Sequence, residues 1–313
     1  MRNLATIWLL LATFAAPAAA QSRPARPQAS STLQARVEAI ARAHRGKVAL
    51  FAKQLRTGQT VELNADVPVQ TASVIKLPIM LEAFVQRKEG KLSFYKQLTL
   101  REEDKVGGSG VLTFMRPGLQ LTLEDAIVLM MDLSDNTATN MVIDQVSIPA
   151  VNARLERIAL KNTYLYKKVY KPAEGPVPAD QPKFGLGKTT AREMATVLEV
   201  IERCDLHDPD FCKRMIDIMR NQQFRYMVPR YLERTDTSES ASSIADKIGE
   251  LDDVRNDVAL VYTQNGPIVI SAFTWDNKDT SWTPDNEAYI TIARLAKAIV
   301  DAWAPAGLHK ATK

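Results

Sequence analysis

Apolar residues recur at helical spacing over residues 32–44, where Leu33, Val37, Ile40 and Ala41 share one face and predict an amphipathic helix. The pattern then switches to alternation. Residues 47–55 and 59–64 predict two strands, joined through Arg56-Thr57-Gly58 as a hairpin. From residue 73 to about 193 the spacing is helical again, interrupted at Gly90, at Gly107-Gly108-Ser109-Gly110, at Arg116-Pro117-Gly118 and in the Pro-rich stretch 171–187. Within that block, 122–131 carries Thr122 as a cap, Glu124 and Asp125 in the first turn and apolar residues behind them. Residues 189–203 and 210–220 predict two further helices. After the polar stretch 234–243, strand patterns return at 244–248, 257–263 and 267–275, with Asn265-Gly266 predicting a type I′ turn between the last two. A long amphipathic helix over 287–303 closes the pattern. Helix, two strands, a helical block, three strands and a helix make an α+β order in which both ends of the chain contribute to one antiparallel sheet. No internal repeat is visible.

Composition adds boundaries to this picture. The first residues read as one positive charge at Arg2, an apolar run over 4–16, and small residues at Ala18 and Ala20, which predicts a signal peptide over 1–20 and export to the periplasm or medium. Residues 21–31, "QSRPARPQASS", read as a linker, leaving 32–306 as the folded domain. Within it a sheet part takes about 32–66 and 244–303 and a helical part about 67–243. No other apolar run is long enough to span a membrane. Without Arg2 the chain keeps only a small basic surplus over its 36 acidic residues, too mild to indicate nucleic acid. The two cysteines, Cys204 and Cys212, would meet an oxidising compartment after export and are a candidate disulfide. His207 between them does not complete a metal site, because the paired C-x-x-C spacing is missing.

Three short constellations carry candidate chemistry. "TASVIKLPIM" (71–80) places Ser73 and Lys76 three residues apart, so that on a helix a hydroxyl and an amine share one face. A lysine whose pKa is lowered by burial or by nearby positive charge can act as base to such a serine. Ser93 and Lys96 repeat the spacing in a short polar connector with no long apolar helix behind it, and read as a chance copy. The second constellation is Ser134-Asp135-Asn136, whose residue types also suit a helix cap. The third is Lys247-Ile248-Gly249 at the end of a predicted strand, where a glycine lets other backbone approach closely. Each alone is weak, and Lys-x-Gly recurs at Lys88, Lys105 and Lys183.

In this order and context, Ser73-x-x-Lys76, Ser134-Asp135-Asn136 and Lys247-x-Gly249 resemble the three active-site elements of class A β-lactamases and penicillin-binding proteins. "GSGVL" at 108–112, "RPGLQLTLEDAIVLMMDLSDNTATN" at 116–140 and "RNDVALVY" at 255–262 are similar to class A sequences as well, so the resemblance covers about 33–303. It implies a β-lactamase/transpeptidase-like fold, with a five-stranded antiparallel sheet flanked by N- and C-terminal helices beside a mostly helical subdomain. It also implies that Ser73 attacks a lactam carbonyl, that Lys76 accepts its proton, and that Ser134 with Lys247 protonates the leaving nitrogen. Asn136 would bind the substrate's side-chain amide, and the amides of Ser73 and Glu250, the residue after Gly249, would form the oxyanion hole. The implied partner is a small-molecule substrate, a β-lactam or related amide or ester; no metal or cofactor is implied, and a monomer is expected.

Three departures from the family pattern bear on turnover and substrate. Class A enzymes activate the deacylating water with the glutamate of a Glu-x-x-Leu-Asn loop, whereas here "LYKKVYKPAEGPVPAD" (165–180) puts Val169 or Tyr170 at that position. Glu174 is the one nearby glutamate, a candidate base or, with Gly175-Pro176 behind it, part of a surface turn. Ile248 replaces the hydroxyl residue that helps hold a lactam carboxylate. Glu250, Asp252 and Asp253 bring like charge to the same place, with Arg255 either a compensating cation in the substrate site or a surface residue. The alternatives to a lactam hydrolase are therefore an amidase, esterase or peptidase acting on another cell-envelope substrate, or a non-catalytic penicillin- or peptidoglycan-binding protein.

Overall fold

The computed structural model describes residues 29–232 and 243–309. The expected signal peptide, most of the 21–31 linker and nearly all of the polar stretch 234–243 lie outside the described residues. Five strands form one antiparallel sheet: β1 (Lys47–Gln54), β2 (Thr60–Leu63), β8 (Ile244–Leu251), β9 (Val254–Thr263) and β10 (Gly266–Trp275), in the order β2-β1-β10-β9-β8. Helices α1 (Ala29–Ala43) and α9 (Glu287–Trp303) cover one face. Between β2 and β8 the chain builds the helical half, comprising α2 (Lys76–Lys88), α3 (Leu123–Asp132), α4 (Asn136–Val146), α5 (Ile148–Arg157), the short α6 (Gln181–Phe184), α7 (Ala191–Glu202) and α8 (Pro209–Arg220). Two small antiparallel sheets punctuate it: β4 (Gln97–Thr99) with β5 (Gln120–Thr122), and β7 (Gly187–Thr189) between β3 (Val69–Gln70) and β6 (Tyr164–Leu165).

The sheet separates two apolar clusters. On the terminal-helix face, Leu33 and Val37 of α1 and Ile292, Leu295 and Ile299 of α9 pack with Leu50, Ile248, Val261 and Ile270. On the other face Ala49, Val258, Leu260 and Phe273 meet Ile75, Leu77 and Phe84 of the helical half. Central α2 is buried on every side from Lys76 to Gln86, which explains its nearly unbroken apolar run. Pro78 sits in the first turn of α2, where a missing N–H costs no internal helix bond. Thr122 caps α3 in a reciprocal box with Asp125, as the first-turn pattern predicts.

Two sequence expectations are corrected. The β9–β10 turn is centred on Gln264-Asn265, not on Asn265-Gly266; Gly266 pairs with Thr263 and, unlike Asn265, has positive φ, so the turn is not type I′. The strands expected at 244–248 and 257–263 run on to Leu251 and begin at Val254, because the charged residues between them pair across the ladder, Glu250 opposite Arg255. Asp252-Asp253 is thus the tip of a two-residue hairpin. Cys204 and Cys212 form a disulfide. Among the described residues, no helix is long and apolar enough to cross a membrane, and no three His, Cys, Asp or Glu side chains are placed to hold a metal ion.

Candidate active site

The Ser-x-x-Lys element does not begin as α-helix. Ala72 takes a positive φ of 44°, and residues Ala72–Ile75 wind as a 3-10 turn that hands over to α2 at Lys76. Asn256 on β9 pins the approach by donating its side-chain amide to Gln70 O at 2.9 Å and Thr71 O at 3.2 Å. Ser73 is half-buried, while Lys76, one turn on, is fully buried. A buried ammonium needs a partner for each proton. Lys76 has three: Nζ donates to Ser134 O at 2.7 Å, Ser134 Oγ at 3.0 Å and Asn136 Oδ1 at 3.0 Å. Burial, and then the nearby Lys247 charge, hold its pKa well below the ordinary lysine range.

Ser134 and Asn136 reach Lys76 because the chain turns sharply between α3 and α4. Ser134 has φ 54°, a conformation that suits few non-glycine residues, and the surrounding structure must hold it. Asp135 supplies that hold as the N-cap of α4, accepting from Ala138 N at 2.8 Å with one oxygen and from Val111 N and Leu112 N at 2.6 and 2.8 Å with the other. The glycine loop lies directly on this turn. A Cβ on Gly110 would meet the Asp135 carboxyl at 2.3 Å, and one on Gly108 would meet Asn136 Nδ2 at 2.7 Å and the Tyr170 ring at 3.2 Å. Asn136 Nδ2 donates to Gly107 O at 3.0 Å. "GSGVL" therefore has no room for larger residues at its glycines.

The third element arrives on β8, the edge strand that faces the helical half. Lys247 is fully buried, and its Nζ donates to Ser134 Oγ at 3.1 Å and to Ile248 O at 3.0 Å. Burial brings its pKa down to about 8 against the opposing pull of Asp246, Glu250, Asp257 and Asp132. Ser134 Oγ is thus shared by two lysines. Gly249 presses against the start of the 3-10 turn, where an added Cβ would lie 2.7 Å from Thr71 O and 2.9 Å from both Ser73 N and Val74 N. Ile248 O, bonded by Lys247, marks the backbone parity that points off the free edge, and Glu250 shares that parity. Its amide therefore points off the same free edge of β8.

In the 165–180 loop, Val169 is buried and its backbone is gripped at both groups by Asn140, which accepts from Val169 N at 2.8 Å and donates to Val169 O at 3.0 Å. Tyr170 follows with φ 53° and an exposed ring beside Gly108. Glu174 is an exposed carboxylate 3.7 Å from Lys168, which also binds Asp144. Together these three line a surface cavity of about 490 Å³ with Tyr164 and Tyr166, and none of Ser73, Lys76, Ser134 or Lys247 lines it.

Arg255 is neither a surface residue nor an open cation. It is fully buried, its guanidinium donating to the carbonyls of Leu251, Asp252, Val254 and Ser281, with Trp282 and Tyr289 rings 4.3 and 5.3 Å away. Glu250 Oε1 lies 3.7 Å from Arg255 Nε and accepts from Tyr289 Oη. Ile248 turns its side chain into the core below the sheet. Asn140 and Asn256 escape sequence reasoning. Both are asparagines inside regular elements, and their only signal is a polar side chain where burial is expected.

A fold with this sheet, a Ser-x-x-Lys with its lysine buried at a helix start and a second lysine on the facing edge strand is that of the penicillin-recognising serine enzymes. A model of the Beta-lactamase enzyme family matches residues 32–303, and the chain belongs to that family. A curated β-lactamase of Rhodobacter capsulatus is 24% identical over 275 residues, covering 87% of this chain and 90% of that one. The crystal structure of a β-lactamase from Sphaerobacter thermophilus is 28% identical with a TM-score of 0.75, covering 87% and 97% of the two chains. The structure of PBP-A, 24% identical, matches the fold with a TM-score of 0.73 over 90% and 98%, as does a mutant of it in an acyl-enzyme complex with penicillin G.

Proposed function

We propose that this protein is an exported serine hydrolase that opens β-lactam amides through an acyl-enzyme on Ser73. The observation that carries the reading is the sharing of Ser134 Oγ by Lys76 and Lys247, at 3.0 and 3.1 Å. Two buried lysines on one hydroxyl form a proton path, and burial, with the Lys247 charge beside it, keeps a neutral Lys76 amine accessible. Neutral Lys76 takes the Ser73 hydroxyl proton as the Oγ–C bond forms, and the carbonyl oxygen becomes an oxyanion facing the amides of Ser73 and Glu250. When the C–N bond breaks, Ser134 delivers its proton to the leaving nitrogen and is reprotonated from the lysine pair. Water then cleaves the ester and restores Ser73. Asn136 stands beside this path with Nδ2 directed at the glycine loop, placed to meet a substrate amide.

Deacylation is the slow step in this reading. Val169 has no proton acceptor in its side chain, and loss of a general base slows such a step by about 10² to 10⁴. Incubation with a fluorescent penicillin tests the proposal: label on the wild type and none on Ser73→Ala is expected. Absence of label, or equal labelling of both, contradicts it.

A second reading keeps the chemistry and changes the substrate to a non-lactam amide, peptide or ester of the cell envelope. It is favoured by Ile248, whose side chain is buried in the core and offers no hydroxyl to a lactam carboxylate. Neutral esters run beside nitrocefin separate the two, and fast nitrocefin turnover refutes the second.

A further inference from the structure

We propose that Glu250 is a specificity-determining residue which turns this site away from substrates with a carboxylate beside the scissile bond and toward uncharged or cationic ones. The inference rests on the Ser73 acyl-enzyme reading and names the substrate class of that same site.

The geometry begins at Gly249, whose close approach to Ser73 N places the next residue at the mouth of the candidate oxyanion site. Side chains alternate along a strand, so Ile248 and Glu250 share the face opposite Lys247. Ile248 is buried, whereas the Glu250 side chain keeps 20% of its surface exposed. Its position is held from behind. Oε1 accepts from Tyr289 Oη and lies 3.7 Å from the Arg255 guanidinium, and among the described residues Oε2 has no hydrogen-bond partner. A carboxylate held at one oxygen and open at the other is a fixed negative wall, not a side chain free to swing aside.

Among the described residues, the cations of β8 and β9 are already engaged by the protein. Arg255 is fully buried with its NH groups on four backbone carbonyls, and Lys247 is fully buried on Ser134 and Ile248 O. Arg225 pairs with Asp246 at 2.8 Å. From 246 to 257 the two strands and their turn carry Asp246, Glu250, Asp252, Asp253 and Asp257 against Lys247 and Arg255, a negative balance even with Asp257 shifted to about 7 by burial. The Tyr289 ring, whose hydroxyl donates to Glu250, stacks on Tyr226 at 5.9 Å and lies 5.3 Å from the Arg255 guanidinium.

A charge series on one scaffold tests the inference: benzylpenicillin, its methyl ester and its 2-(diethylamino)ethyl ester share the same lactam and differ in charge. Ser73 adduct formation is followed by intact mass spectrometry, each rate divided by that compound's hydrolysis rate in buffer. Both esters are expected to acylate at least about tenfold faster than the free acid, the scale of one close like-charge contact. Glu250→Gln keeps the shape and is expected to bring the three rates to within about threefold. A melting curve confirms that the variant is folded. Should it not fold, the wild-type preference is expected to shrink as salt is raised, since screening weakens an exposed charge effect. Acylation by the free acid at an equal or faster rate overturns the inference, as does a preference unchanged in folded Glu250→Gln or by salt. Absence of a Ser73 adduct with all three compounds overturns the acyl-enzyme reading itself, an outcome distinct from a wrong charge order.

Discussion

Asn140 holds Val169 by both backbone groups, at 2.8 Å to its N–H and 3.0 Å to its C=O. A helix in the core thereby fixes one point of the 165–180 loop and buries an aliphatic side chain there. Val169→Glu offers a carboxylate at a backbone position that is already anchored. The expected outcome is faster release of a penicilloyl adduct, by about 10² or more, with little change in its formation. Stopped labelling followed by mass spectrometry reads the lifetime; an unchanged lifetime in a folded variant means that the anchored position does not face the acyl bond.

Lys76 and Lys247 give the site a distinct pH response. As the candidate base, Lys76 acts in its neutral form, so acylation is expected to rise with pH and level off well below the usual 10.5 of lysine, because burial and Lys247 lower its pKa. Lys76→Met is expected to slow acylation by about 10² to 10⁴ and to abolish that rise. A flat wild-type profile contradicts this role.

Stability carries the same signature. Lys247 has a folded pKa of about 8 against 10.5 unfolded, so between these values the unfolded chain binds more protons and raising pH favours the fold. The burial penalty is fully present below pH 8 and relieved toward pH 10.5. Relative to Lys247→Met, the wild type is expected to gain about 2 kcal/mol between pH 7 and 9.5. Denaturant titrations of both proteins at the two pH values measure it, and a constant difference contradicts the shift.

Much of this architecture is legible in the chain. The alternation of 47–55 and the helical spacing of 287–303 depend on local pattern, and both elements stand where they are expected. The three motifs are also local in sequence, and the fold brings Lys76, Ser134 and Lys247 to one point. What is not legible depends on partners far along the chain. Glu250 and Arg255 look like loop residues until they are seen paired across β8 and β9, and Arg255 shows no local sign of the four carbonyls and two rings that bury it. The grip of Asn140 on Val169 spans twenty-nine residues, beyond the reach of any periodicity.

Gly249→Ala tests the packing that brings β8 to Ser73. The new Cβ would lie within 3 Å of three backbone atoms, none of which can move alone. A loss of about 1 to 3 kcal/mol in stability is expected, together with a fall in acylation of about 10² or more as the two amides separate. Thermal melting and labelling rates check both. Normal acylation would show that the approach of Gly249 is not needed.

The Cys204–Cys212 bridge ties the α7–α8 connection to the first turn of α8, outside the cluster of Ser73, Lys76, Ser134 and Lys247. Replacing both cysteines with serine is expected to cost about 2 to 3 kcal/mol of stability while leaving the labelling rate of folded protein unchanged. A large loss of labelling in folded protein would tie the bridge to the site.

In the proposed mechanism Ser73 forms an acyl-enzyme which Val169 leaves without an efficient way out. Intact mass spectrometry of the wild type over time after a pulse of penicillin tests it most directly. A single penicilloyl adduct that maps to Ser73, persists long after free penicillin is removed and is absent from Ser73→Ala is the predicted result. No adduct under conditions where penicillin is left intact, or an adduct elsewhere in the chain, would contradict it.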